Sequence, residues 1–114
     1  MQVSIIGSRT FTDYTKMKQE LDEILNLEEV GSIISGGAKG ADTLAERYAN
    51  EMGINFIKYV PDWSVGRHAG LDRNTTIVSE SDLVICFWDG SSKGTEDSIR
   101  KAHKMGKEVK IVYV

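Results

Sequence analysis

Short apolar runs and longer amphipathic stretches take turns along the whole chain. Val3–Ile6 is a compact apolar run ended by Gly7, and it predicts a buried strand. Over residues 13 to 27, Tyr14, Met17, Leu21, Ile24 and Leu25 recur at helical spacing, with Thr12 or Asp13 as the N-cap. Ser32–Ser35 predicts a second strand. Residues 41 to 52 predict a helix whose apolar face holds Ala41, Leu44, Ala45, Tyr48, Ala49 and Met52, with Gly53 as its stop. A third strand over Ile54–Val60 is closed by Pro61, and a weaker helical pattern spans residues 69 to 80. Asp82–Trp88 predicts a fourth strand, Thr95–Met105 a helix stopped by Gly106, and Val109–Val114 a fifth strand.

Strands alternating with helices from end to end predict an α/β fold, with about five parallel strands flanked by about four helices on both faces. The 114 residues suffice for one core, and no Ser/Gly/Pro-rich linker divides them, so residues 1–114 read as a single domain. No internal repeat is present.

In a parallel sheet the strands end at one edge, and ligands bind in the crevice there where strand order reverses. The segments reaching that edge share a composition. Gly7, Ser8 and Arg9 follow the first strand, and Gly36, Gly37, Lys39, Gly40 and Asp42 the second. Trp63 and Arg67 follow the third, with Arg73 and Asn74 shortly after. Asp89, Gly90, Ser92, Lys93, Gly94 and Thr95 follow the fourth. Glycines let a backbone approach a ligand and free its N–H groups for phosphate oxygens. Helices starting at about Ala41 and Thr95 add unpaired N–H groups and partial positive charge. Trp63 suits stacking on a base or ribose, or a lid over the core. Asp42 suits either a ligand or its own helix dipole.

No single one of these segments is decisive. SGGAKGAD (35–42) lacks the spacing of a Walker loop. It matches the dinucleotide fingerprint at Gly37 and Gly40 but has Ser35 at the first glycine position, while Asp62, about twenty residues on, mimics the ribose-binding acid. The four segments together, with Arg9, Lys39, Arg67, Arg73 and Lys93 gathered on one rim, point to an anionic small molecule.

Bulk charge sharpens the picture. The net charge is −3, so generic wrapping of nucleic-acid backbone is not expected, and nucleic acid reads as an unlikely partner. The one cysteine, Cys86, sits in the apolar run Leu83–Trp88 and reads as core. With His68 and His103 it makes no metal set, so no metal and no required cofactor are expected. No stretch approaches the ~20 apolar residues of a membrane span, and no signal-like segment opens the chain, which predicts a cytoplasmic protein with no membrane partner.

Four stretches carry a family resemblance: IIGSRTF (5–11), ISGGAKGADTLAERYA (34–49), YVPDWSVGRHAGLDRN (59–74) and LVICFWDGSSKGT (83–95). In collinear order they resemble the SMF/DprA–LOG (SLOG) superfamily, and within it the small YspA-like, cpYpsA-related proteins. The resemblance implies a three-layer Rossmann-like fold that binds nucleotides or nucleotide-derived ligands. It also implies a place in bacterial or phage conflict systems, where some members sense signals derived from NAD or ADP-ribose.

Its enzymatic branch, the LOG phosphoribohydrolases, carries R-K-x-x-M and P-G-G-x-G-T-x-x-E. Arg73 and the Gly94-Thr95 pair match these, but Ser98 occupies the glutamate position. Glycosidic cleavage needs a carboxylate to stabilise an oxocarbenium ion or to activate water. Glu96 and Asp97 project about 200° and 100° away from Ser98 on a helix. The leading expectation is therefore a module that senses or sequesters a phosphorylated nucleotide derivative, with no catalytic residue unless Arg73 serves a LOG-like reaction. The alternatives are a nucleotide N-glycosidase and, less favoured, a DprA-like binder of single-stranded DNA. A homo-oligomer is compatible with all three.

Overall fold

The computed structural model describes residues 1–114. Strand β1 (Gln2–Gly7) leads to helix α1 (Tyr14–Ile24), and β2 (Ser32–Ser35) to α2 (Ala41–Met52). Strand β3 (Asn55–Lys58) leads to α3 (Ala69–Ser79), β4 (Leu83–Trp88) to α4 (Lys93–Lys104), and β5 (Glu108–Tyr113) ends the sheet. Short 3-10 turns at Leu27–Glu29 and Trp63–Val65 interrupt the connections.

All strand pairs are parallel, in the order β3-β2-β1-β4-β5. Side-chain alternation divides the core into two layers. Val3, Ile5, Ile33, Ile85 and Phe87 pack against Met17 and Leu21 of α1 and Ala45 and Tyr48 of α2. Ile6, Ile34, Val84 and Cys86 pack on the other face against Ile77 and Val78 of α3 and Ile99 and Ala102 of α4. The central strands are covered on both faces, which is why their sequences read as unbroken apolar runs. Burial pushes the Cys86 thiol up to about 12, so it is a packing residue with little thiolate at neutral pH.

The chain moves outward from β1 through β2 to β3, then crosses back to β4 on the other side of β1. Segments leaving β1 and β4 therefore diverge, and a crevice opens between their C-terminal ends. Its floor is tightly fixed. The Ser8 N–H donates to the Phe87 carbonyl at 2.9 Å, and the Asp89 N–H donates to Ser8 Oγ at 3.0 Å. Phe11 stacks on Phe87 with ring centroids 5.4 Å apart, anchoring the segment after β1 over the end of β4.

Candidate functional site

A cavity of about 260 Å³ occupies this crevice. The segment after β1 contributes Gly7 and Arg9, and α4 contributes Gly94, Thr95 and Ser98 from its first turns. Gly94 and Thr95 lie where helical N–H groups have no intrahelical partner, so they present donors and partial positive charge to an anion. Ser92, the N-cap of α4, makes no side-chain capping bond and also lines the cavity.

Helix α3 supplies Arg73 and Asn74. Arg73 Nη1 donates to the Gly36 carbonyl at 2.8 Å, and its Nε donates to Asn74 Oδ1 at 3.1 Å. Asn74 Nδ2 donates in turn to the Gly94 carbonyl at 3.3 Å and to Asp97 Oδ2 at 3.2 Å. These bonds join α3, α4 and the turn after β2 into one frame. Arg73 and Arg9 are close enough to repel. Burial lowers the Arg73 pKa, Asp42 opposes that shift, and Arg9 adds to it.

Asp42 is 6% exposed at the opening of α2, where it lines the same cavity. Burial raises its carboxyl above the ordinary range, opposed by the Ala38 N–H, which donates to Oδ2 at 3.2 Å, and by the charge of Arg73. Its acceptors thus fold the turn after β2, and its charge attracts Arg73. Two guanidinium groups against one carboxylate leave the lining positive, on a chain whose total charge is −3.

The residues singled out from sequence divide into two groups. Gly7, Arg9, Asp42, Arg73, Asn74, Ser92, Gly94 and Thr95 meet at the cavity. The others stand outside its lining. Ser8 is buried in the joint between β1 and β4. Gly36 is buried beneath Arg73: a Cβ there would run into the guanidinium and lie 2.9 Å from Asp42 Oδ2. Gly37 and Gly40 adopt positive φ of 73° and 75° and shape the turn, Gly40 against the Ser8 and Arg9 carbonyls. Asp89 Oδ1 accepts from the Ser91 and Ser92 N–H groups, and Gly90 turns the chain at φ 85°. Lys39, Arg67 and Lys93 are exposed. Trp63 is 59% exposed in a 3-10 turn and leans on Gly70 rather than on the crevice.

Ile6, Ala38, Ile77 and Ser98 complete the lining. Ile6 and Ile77 read as ordinary core positions, since nothing in an apolar pattern marks the residues next to an opening. Ser98 Oγ donates to the Gly94 carbonyl at 3.3 Å. Asp97 is turned aside into ion pairs with Lys101 at 2.8 Å and Arg100 at 3.0 Å, and Glu96 is exposed. Asp42 is therefore the only carboxylate on the cavity wall, and it faces Arg73 and the turn.

Residues 1–66 match the family described as YAcAr: YspA, cpYpsA-related SLOG family. The chain is 34% identical over 113 residues to the Gene 61 protein of Mycobacterium phage D29, covering 92% of this chain and 90% of that one. Among solved structures it resembles DNA processing protein A (DprA) from Streptococcus pneumoniae, with a TM-score of 0.79 and 21% identity over 96% of this chain. It also resembles DNA processing protein A from Helicobacter pylori, with a TM-score of 0.72 and 27% identity over 97% of this chain. It spans 49% and 64% of those two chains.

The Helicobacter pylori structure is described as revealing a single-stranded DNA binding mode, which overturns the expectation that nucleic acid is an unlikely partner for this fold. The physical reason is that net charge averages over a surface. Acidic residues crowd α1 and the turn after it, while Arg9 and Arg73 converge at the crevice. The all-parallel sheet between two helical layers is the expected three-layer Rossmann-like fold. With the match over residues 1–66 and the likeness to the phage protein along nearly its whole length, the chain belongs to the YspA, cpYpsA-related SLOG family.

Proposed function

We propose that the protein binds a phosphorylated nucleotide or nucleotide-derived ligand, with a phosphate between Arg9, Arg73 and the N-terminus of α4. The carrying observation is that two mutually repelling arginines line one small cavity at the strand-order switch. An anion there relieves their repulsion while accepting from the Gly94 and Thr95 N–H groups. The reading is a sensing or sequestering module, with NAD- and ADP-ribose-related compounds as first candidates. Slow or no cleavage follows from Ser98, whose hydroxyl cannot carry the negative charge that an oxocarbenium-like transition state requires.

A second reading is single-stranded DNA, favoured by the likeness to the Helicobacter pylori protein. Its phosphates present the same chemistry to the same donors. A thermal-shift screen of nucleoside monophosphates, NAD, ADP-ribose and short single-stranded oligonucleotides separates the two. A ligand at a hundredfold its dissociation constant adds roughly 2.7 kcal/mol of stability. Chromatography of the same mixtures tests cleavage: rapid base release lost in Arg73→Ala would replace the binding module with an enzyme.

A further inference from the structure

Arg73 also lines a second cavity, of about 220 Å³, set between the chain that follows β3 and helix α3. Its walls differ from those of the first. Tyr59, Val60, Pro61 and Val65 make one side, and Ala69 and Thr76 of α3 lie on the other. Val60 and Val65 are 65% and 60% exposed, neighbours of an equally exposed Trp63. Clustered exposed apolar side chains beside a polar crevice are a feature of ligand sites.

Two carboxylates, Asp62 and Asp72, line this second cavity, and no cation but Arg73 does. Asp62 Oδ1 already accepts from the Ser64 N–H and hydroxyl, which fixes its position. Their charge repels a phosphate and provides acceptors for N–H groups. The flat, apolar, N–H-bearing part of a nucleotide is its base. We propose that the second cavity holds the base of the nucleotide whose phosphate occupies the first, with the Arg73 guanidinium between the two. The assignment rests on the phosphate reading above. Arg73 is well placed to be shared, because its bonds to Gly36 at 2.8 Å and Tyr59 at 3.4 Å fix it where the chain segments after β2 and β3 meet.

The test compares nucleoside 5′-monophosphates with ribose 5-phosphate by calorimetric titration of the full chain. Stacking and base contacts should make the parent bind the best nucleotide roughly tenfold or more tightly than ribose 5-phosphate. Thr76→Phe fills the second cavity and Val60→Asp charges it, and neither residue lines the first. Both variants should lose the base-dependent gain and keep the affinity for ribose 5-phosphate, which also shows that they fold. A 5′-phosphorylated oligothymidine run alongside tells a free nucleotide from a single strand as the source of the base, and its gain should fall in the same variants. Equal binding of nucleotide and ribose 5-phosphate by the parent overturns the proposal and leaves the phosphate site standing, as does a preference retained in both variants. Failure of every phosphorylated compound to bind overturns both.

Discussion

Arg73 reaches from α3 to the Gly36 carbonyl, 2.8 Å away and 37 positions earlier in the chain, and so ties the third helix to the turn after β2. Gly36 permits the approach because it has no side chain. In Gly36→Ala the new methyl would meet the Arg73 guanidinium and the Asp42 carboxylate. The guanidinium is the far end of a flexible side chain and can move. Stability should therefore fall by only about 1–3 kcal/mol, while phosphate binding weakens as Arg73 is displaced. Denaturant unfolding and ligand titration on the same variant check both halves.

Gly7→Ala should behave differently. Its Cβ would run into the Phe87 carbonyl and lie 2.8 Å from Ala41 Cβ, neither of which belongs to a flexible tip. The joint between β1, β4 and α2 would have to open, so stability should fall by about 3 kcal/mol, the upper end for overpacking. Thermal unfolding without ligand reads this directly. A midpoint equal to the parent's would mean the joint is looser than described.

The cations at the crevice should separate by position. Arg9→Ala removes an exposed side chain that lines the cavity, so binding should weaken by roughly 1.5–3 kcal/mol with little change in unliganded stability. Arg73→Ala should weaken binding as much and also destabilise the fold, because it releases the Gly36 carbonyl and leaves Asp42 without its cation. Lys93, exposed and outside the lining, should lose only a salt-sensitive fraction of that affinity. Titrations of the three alanine variants at two salt concentrations give the comparison.

Asp42 sets a pH dependence whose sign follows from burial. Its folded pKa is raised, so its contribution to stability is full below the ordinary carboxylate pKa and is lost as pH rises through the raised value. The groups facing it are the Arg73 guanidinium, the Ser35 hydroxyl and the Ala38 and Gly36 N–H groups. Comparing Asp42→Asn with the parent from about pH 4 upward isolates the effect from the other carboxylates. The difference in unfolding free energy should shift in favour of the variant as pH rises. A constant difference, or a shift the other way, would contradict the described burial.

The sheet was legible because its inner strands are buried on both faces. Leu83–Trp88 is one apolar run whose neighbours on either side are other strands. Boundaries were less so. The predicted strand 54–60 pairs only over Asn55–Lys58, since β3 is an edge strand and its one neighbour, β2, is just four residues long. The helix predicted over 13–27 ends at Ile24, because Asn26 caps a separate 3-10 turn by accepting from the Glu28 N–H. Helix α4 opens at Lys93 rather than Thr95, following the Ser92 cap.

The polar half of the site was legible through Gly7, Arg9, Asp42, Arg73 and Thr95. Three-dimensional geometry decided the rest. Nothing in the order of residues says that Gly36 rather than Gly37 touches Arg73, or that Ser35 spends its hydroxyl on the Ile5 carbonyl at 2.6 Å. Nor does the sequence say that Trp63 turns away from the crevice.

The most direct test of a phosphate held at the β1/β4 switch is amide chemical-shift mapping of the isotope-labelled protein titrated with a nucleoside 5′-monophosphate. The largest saturable changes should fall on the backbone N–H groups of Gly94 and Thr95 and on the Arg9 and Arg73 side chains, and should need roughly ten- to a hundredfold more ligand to saturate in Arg9→Ala. Saturable changes confined to β5 or the outer face of α1, or changes that saturate at the same ligand concentration in Arg9→Ala as in the parent, would contradict the account.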